Sequence, residues 1–182
     1  MKLVNSAATA LVAASLAFAG PALAKVTKVG GAAMYDTKTI AQNAPNAPNL
    51  TTLVAAVKAA GLVETLAGPG PFTVFAPTNA AFEKLPAGTV DTLVKPENKA
   101  QLTKILTYHV VSGDYSSKEL MMGAKKKGGL KLTTVEGEPL TVKMSKGKLV
   151  VVDAKGGMSM VQTKDVDQKN GVVHVVNSVL MP

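Results

Sequence analysis

The sequence predicts an α+β fold in which short N-terminal helices pack against a mostly antiparallel β-sheet or wedge-shaped sandwich. From Leu53 to about Met122, apolar residues recur at the three- and four-residue spacing of helices. Beyond Gly128-Gly129 the spacing changes to two, the period of strands with one buried face. Because the helical part precedes the strand part, we expect helices and strands to be segregated rather than alternating.

The segment from Pro71 to Pro86 organises the predicted core. Phe72 to Phe75 is an apolar and β-branched run that favours a buried strand. Pro77 ends the strand because proline cannot donate a hydrogen bond to a neighbouring strand. Thr78 then caps a short helix that buries Phe82. Since three of the four Phe residues lie in this segment, we expect the core to form around it.

The other helices are predicted in chain order from caps, stops and apolar spacing. Three helices are predicted before the Pro71 segment. The first lies around Thr39–Asn43 between loops, the second runs from an N-cap at Thr51 to a stop at Gly61, and the third runs from Val63 to Leu66. After the Pro71 segment, the predicted helices lie at Ala87–Leu93, from Glu97 to Tyr108-His109, and from Ser116 or Ser117 through Met121-Met122.

The strands of the second half are predicted from alternation and turn signals. A short strand at Val110-Val111 precedes four others that begin at Leu130, Leu140, Leu149 and Met158. Asn170-Gly171 is a strong signal for a hairpin turn. We therefore expect it to introduce an apolar terminal strand from Val172 to Leu180.

The first 24 residues have the pattern of a secretory signal peptide. Lys2 is followed by an uncharged apolar run from Ala7 to Gly20, and the segment ends in Ala22-Leu23-Ala24, an Ala-x-Ala cleavage pattern. The run is shorter than the roughly 20 residues that a membrane-spanning helix needs. We therefore expect cleavage after Ala24, a leader at residues 25–36, a single domain at 37–182, and no transmembrane segment. The protein is then secreted or periplasmic.

The amino-acid composition limits the kinds of molecule that the protein can be expected to bind. The chain has no cysteine, which excludes disulfides and thiol chemistry. Its 20 basic residues are all lysine, and the formal net charge is +8. Such an exported protein suits anionic polymers or lipid headgroups. The lack of arginine and tryptophan argues against binding of nucleic acid.

Three segments stand out together, Pro71–Pro86, Leu106–Gly113 and Asn170–Pro182. In their residues, order and spacing they resemble the signature segments of fasciclin domains, which are adhesion-type modules of secreted and cell-surface proteins. The resemblance implies one complete α+β domain. It also implies that the Tyr108-His109 pair serves fold integrity and adhesion rather than catalysis.

The sequence departs from the family pattern at two places. Animal fasciclin domains are linked to integrin adhesion through an Asp-Ile pair, and the matching positions here read Asp165-Val166. Asn177 stands where family members often carry Asp. We do not expect integrin binding, although Asp165 stays a candidate contact residue.

The two histidines, His109 and His174, are the candidates for acid–base chemistry. A hydrolase needs a histidine beside an activated serine and an orienting carboxylate. Ser112 and Asp114 are near His109, but the sequence has no Gly-x-Ser-x-Gly elbow. Valines flank His174, which predicts a buried ring. We therefore predict that both histidines are structural and that the protein is neither an enzyme nor dependent on a cofactor, with a hydrolase acting through His109 as the last alternative.

Four methionines, together with the two histidines, offer a further alternative, a periplasmic binder of copper or of a small ligand. The methionines are Met121, Met122, Met158 and Met160. Thioether sulfurs suit Cu(I), and the spacing of Met158 and Met160 places both on one face of a strand. The same residues would equally fill gaps in a core, which is the usual role of methionine.

Three consecutive lysines, Lys125, Lys126 and Lys127, precede Gly128-Gly129 and predict an exposed loop tip. Such a tip either docks on an anionic surface or keeps the sheet edge from pairing with another chain. Further lysines at 131, 143, 146 and 148 fall on polar strand faces or turns, which favours docking.

These observations predict an exported, non-enzymatic adhesion or matrix-binding module. We expect its contacts at the lysine tip and at a surface around Tyr108, His109 and Asp165. Its partners are then cell-surface or matrix polymers or proteins, including anionic ones. We expect a monomer or weak oligomer.

Overall fold

The α+β class is confirmed by the computed structural model, which describes residues 25–182. The predicted signal peptide, residues 1–24, lies outside the described residues, and its cleavage after Ala24 stays a prediction. The helices are α1 (Ile40–Asn43), α2 (Thr51–Ala60), α3 (Val63–Ala67), α4 (Asn79–Glu83), α5 (Thr89–Leu93), α6 (Lys99–Tyr108) and α7 (Ser117–Ala124). The strands are β1 (Val26–Val29), β2 (Ala32–Tyr35), β3 (Phe72–Pro77), β4 (Val110–Ser112), β5 (Leu130–Thr133), β6 (Pro139–Ser145), β7 (Lys148–Val152), β8 (Met158–Gln168) and β9 (Gly171–Val176).

Strands β3 to β9 form one curled sheet in the order β4-β3-β9-β8-β7-β6-β5. All its neighbours are antiparallel except β3 and β9, which run parallel. Just beyond β5, the Val135 amide donates to the Val110 carbonyl at 2.7 Å. The two edges of the sheet therefore meet, which leaves little edge for pairing with another chain.

The predicted unit of strand, proline corner and capped helix is confirmed, and its strand β3 lies between β4 and β9 in the sheet. Strand β3 is buried from Thr73 to Pro77, and Phe75 is completely inaccessible to solvent. The Thr78 hydroxyl then accepts the Ala81 amide hydrogen at 3.3 Å, and α4 begins at Asn79. Thr78 thereby satisfies one of the free amides at the start of the helix.

Two apolar clusters lie on either side of this unit. In the first, α1, α2, α3 and α6 pack on β3, β8 and β9, with Leu53 and Leu102 among the buried residues. In the second, α7 packs on β5, β6 and β7 through Leu120. Burial of a leucine side chain contributes about 2 kcal/mol. Packing thus stabilises a fold that has no disulfide.

Strands β1 and β2 were not predicted from the sequence, since loops were expected on either side of the first helix. They form a hairpin whose two turn residues, Gly30 and Gly31, have φ of 58° and 89°. Positive φ at both turn positions is the requirement of a type I′ turn, and the Gly-Gly pair was a signal for it. Val29 and Met34 of the hairpin are buried in the first cluster.

Two predicted boundaries are also wrong. The N-cap of α2 is Leu50, not Thr51, because the Asn79 side chain caps the helix instead and accepts the Thr52 amide hydrogen at 3.0 Å. The last strand ends at Val176, not Leu180, because Asn177 binds Met160 of β8 through its side chain. Among the described residues, no helix has the length and apolar character needed to cross a membrane.

Candidate functional site

His109 lies in the interior, at the C-terminal end of α6, with 2 % of its surface exposed. Its Nδ1 is 2.8 Å from the Ile105 carbonyl oxygen, and its Nε2 accepts the Leu180 amide hydrogen at 3.0 Å. Because a carbonyl only accepts, Nδ1 carries the proton and the ring is neutral. Burial lowers the pKa of His109 from 6.5 to about 4.

His174 is held in the same manner on β9. Its Nε2 is 2.8 Å from the Tyr115 carbonyl oxygen, and its Nδ1 accepts the Asp165 amide hydrogen at 3.3 Å. The ring also stacks on Phe75, with centroids 5.8 Å apart. Burial lowers the pKa of His174 as well. Both histidines are therefore buried and hydrogen-bonded as predicted, and neither ring nitrogen of His109 is free to act as the base of a hydrolase.

Acid should destabilise the protein through these two rings. A histidine whose pKa is lower in the folded state adds stability above its unfolded value of 6.5, and this stability is lost as pH falls toward the folded value of about 4. For His109 alone the loss is about 3 kcal/mol. We expect the free energy of unfolding in urea to drop over this window. In NMR titration the His109 ring protons should keep the shift of the neutral form until pH approaches 4; a midpoint near 6.5 would contradict the assignment.

Tyr108 is also interior, and its side chain has no exposed surface. Its hydroxyl donates to the Pro139 carbonyl at 3.2 Å and accepts the Ala154 amide hydrogen at 2.9 Å. The expectation that Tyr108 and His109 form a contact surface is therefore wrong for the folded state. Three of their four side-chain hydrogen bonds reach backbone groups far along the chain, at Pro139, Ala154 and Leu180, which the sequence could not reveal.

Asp165, the third predicted contact residue, is half-buried in an irregular part of β8, where its φ is 55°. Its carboxylate accepts hydrogen bonds from both the amide and the hydroxyl of Ser117, at the start of α7. Partial burial alone would raise the pKa of the Asp165 carboxyl, but the hydrogen bonds from Ser117 and the nearby His174 hold it below its usual value. In this arrangement Asp165 joins β8 to α7.

The lysine tip, Lys125 to Lys127, is exposed in the turn between α7 and β5. Gly128 and Gly129 reverse the chain with φ of 95° and 84°. A Cβ at Gly129 would lie 2.7 Å from the Cγ of Lys143. The tip therefore sits directly beside β6.

Three more lysines continue the positive charge onto the solvent-facing side of the sheet. Lys131 is opposite Thr141, Lys143 follows Thr141 on the same face, and Lys148 is opposite Ser145. Opposite residues of an antiparallel pair share a face, so these lysines project together. All three are exposed. We call Lys131, Lys143 and Lys148 the outer lysine face; strands β5, β6 and β7 carry no acidic residue.

The methionines of the metal alternative lie on two elements, one pair on β8 and the other on α7. Met121 of α7 and Met160 of β8 line the same surface depression. Met158 and Met160 are opposite Val152 and Val150, so both lie on the outer face, with 68 % and 37 % of their surface exposed. Met122 is exposed at 56 %, and Met121 is half-buried. Across residues 25–182 no group of three His, Asp or Glu side chains is placed to hold a metal ion. Copper binding by the thioethers stays a prediction.

Comparison with known proteins agrees with the resemblance in the sequence. The sequence model of the Fasciclin domain matches residues 48–182. Protein sll1483 of Synechocystis is 47 % identical over 158 residues, which span 87 % of this chain and 81 % of the relative. Immunogenic protein MPB70 of Mycobacterium bovis is 40 % identical over 148 residues, or 79 % of this chain and 68 % of the relative.

The fold has a counterpart among solved structures. The chain superposes with a TM-score of 0.70 on a FAS1 domain pair from the insect cell adhesion molecule Fasciclin I, at 19 % identity, covering 80 % of this chain and 51 % of that one. At this identity the likeness concerns the fold. The family match over residues 48–182 and the relatives that are 47 % and 40 % identical establish that the chain belongs to the fasciclin domain family.

Proposed function

We propose that this protein is an exported, non-enzymatic module that attaches to anionic polymers of the cell surface or matrix. The observation that supports it is the continuous basic surface made by the lysine tip and the outer lysine face, six exposed lysines on strands and a turn without acidic residues. The signal peptide pattern and the membership in a family of adhesion-type modules are consistent with this function.

Lysine chemistry suits a repeating polymer better than a single defined group. Each ammonium is a compact point charge on a flexible stem and lacks the planar fork with which arginine selects carboxylates or phosphates. Several weak contacts to neighbouring anions of one chain act together and raise the overall affinity. Because the contacts are exposed and electrostatic, added salt should weaken them. At 0.1 M salt, exposed charges are largely screened beyond a Debye length of about 10 Å.

Binding of the chain 25–182 to sodium alginate and to isolated cell envelopes across a salt series tests this proposal. We expect affinity to fall with salt and to drop about tenfold or more when Lys125, Lys126 and Lys127 are replaced by Ala, because three charge contacts are lost. The variant Lys131/Lys143/Lys148→Ala should behave in the same way.

A charge-matched variant separates local contact from net charge. Lys58, Lys95 and Lys99 are also exposed, but lie on or near α2 and α6. Their joint replacement by Ala removes the same charge and should change the affinity by less than about threefold, since net charge alone acts weakly at moderate salt. Equal losses in all three variants, or binding that is insensitive to salt, would argue against a defined basic docking surface.

A further inference from the structure

The main-chain nitrogen of Lys25 lies against a carboxylate. It donates a hydrogen bond of 2.8 Å to Oδ2 of Asp36, and the Asp36 amide donates back to the Lys25 carbonyl at 3.3 Å. These two bonds close the open end of the β1–β2 hairpin. The residue that cleavage after Ala24 would make the first of the mature chain is thus fixed to the fold through its nitrogen.

The second oxygen of this carboxylate has no partner. Oδ1 of Asp36 is buried and accepts no hydrogen bond from the residues that the structure describes. A buried acceptor left unpaired costs about 1–3 kcal/mol. The Lys25 nitrogen, as a peptide amide, has a single hydrogen and can serve only one oxygen.

The side chain of Lys25 is paired as well. Its Nζ forms a hydrogen-bonded ion pair with Asp167 of β8. This bond, with the charges of Asp167, Asp165 and Asp36, raises the pKa of the Lys25 ammonium. The main-chain nitrogen and the side-chain nitrogen of one residue therefore each face a separate carboxylate.

We propose that Asp36 and Asp167 form a receptor for a processed N-terminal lysine, generated by cleavage between Ala24 and Lys25. The cleavage converts the neutral amide into an α-ammonium with three hydrogens, which serves both oxygens of Asp36 and adds an ion pair. Removal of the signal peptide thereby completes a stabilising contact between the N-terminus and Asp36, which follows β2. The inference depends on the export step of the proposed function but not on polymer binding.

A double-mutant cycle on equilibrium unfolding in urea tests the receptor at pH 7. One form begins at Lys25, released from a cleavable N-terminal fusion, and the other begins two residues earlier, at Leu23, so that Lys25 keeps its amide. We expect the equilibrium constant for unfolding to be about tenfold lower for the Lys25 form, because charge-assisted hydrogen bonds are stronger than neutral ones. With Asp36→Asn, which keeps the shape but removes the charge, the two forms should become equal.

Three results would overturn the proposal. The first is equal stability of the two forms in the wild-type background, and the second is a difference that persists in Asp36→Asn. The third is a mature N-terminus other than Lys25 when the exported full-length protein is analysed by mass spectrometry. Alginate binding is measured separately, so a failure of the docking surface leaves the cycle interpretable.

Discussion

Replacement of Gly171 by alanine is expected to abolish stable folding. Gly171 has φ of 148°, and an added Cβ would lie 1.9 Å from the Phe72 carbonyl oxygen and 2.7 Å from its nitrogen. These are backbone atoms of β3, which pairs in parallel with β9 from this point onward. Because the contact would force these two buried, hydrogen-bonded strands apart, we expect a loss above about 5 kcal/mol, comparable with the whole stability of a domain.

Gly137→Ala is the matched control for the glycine test. Gly137 also has positive φ, 111°, but an added Cβ would meet no atom within 4 Å. It should cost about 1 kcal/mol through backbone strain alone. Circular dichroism during thermal unfolding compares the two variants. Similar cooperative transitions in both would mean that strands β3 and β9 do not approach as closely as described.

The hairpin signal at Asn170-Gly171 shows what local sequence predicts and what it leaves open. The hairpin between β8 and β9 is confirmed, but Gln168 pairs with Gly171, so the turn residues are Lys169 and Asn170. The glycine is needed for the approach of Phe72, about a hundred residues earlier in the chain. Turn propensities describe neighbouring residues and carry no information about such a contact.

The predicted contact residues also differ in whether local sequence or the tertiary fold decides their exposure. Alternation along β5 to β7 and the Gly-Gly turn were sufficient to predict exposed lysines, because both are local patterns. The environment of Tyr108 and His109 depends on Pro139, Ala154 and Leu180. Only the tertiary fold brings these groups together. The sequence therefore predicted the Tyr108-His109 pair to lie at the surface, although it is buried.

Replacement of Asn170 by alanine is expected to cost about 4 kcal/mol or more. The Asn170 side chain is buried, accepts the Ile40 amide hydrogen at 3.0 Å, and donates to the carbonyls of Leu66 and Gly68 at 2.8 Å each. It therefore holds the start of α1 and the end of α3 against the β8–β9 turn. Alanine leaves three backbone groups unpaired, at about 1–3 kcal/mol for each one that stays buried.

The control for this test is Asn98→Ala, which removes one side-chain hydrogen bond to the Thr92 carbonyl, 2.8 Å long, at a more exposed position. It should cost about 1 kcal/mol. Urea denaturation at pH 7 measures both variants. Equal costs would mean that water reaches the groups around Asn170 once the amide is gone. A much larger cost at Asn170 would instead show that its side chain ties α1 and α3 to the sheet in addition to apolar packing. It does so through contacts that span more than a hundred residues of sequence.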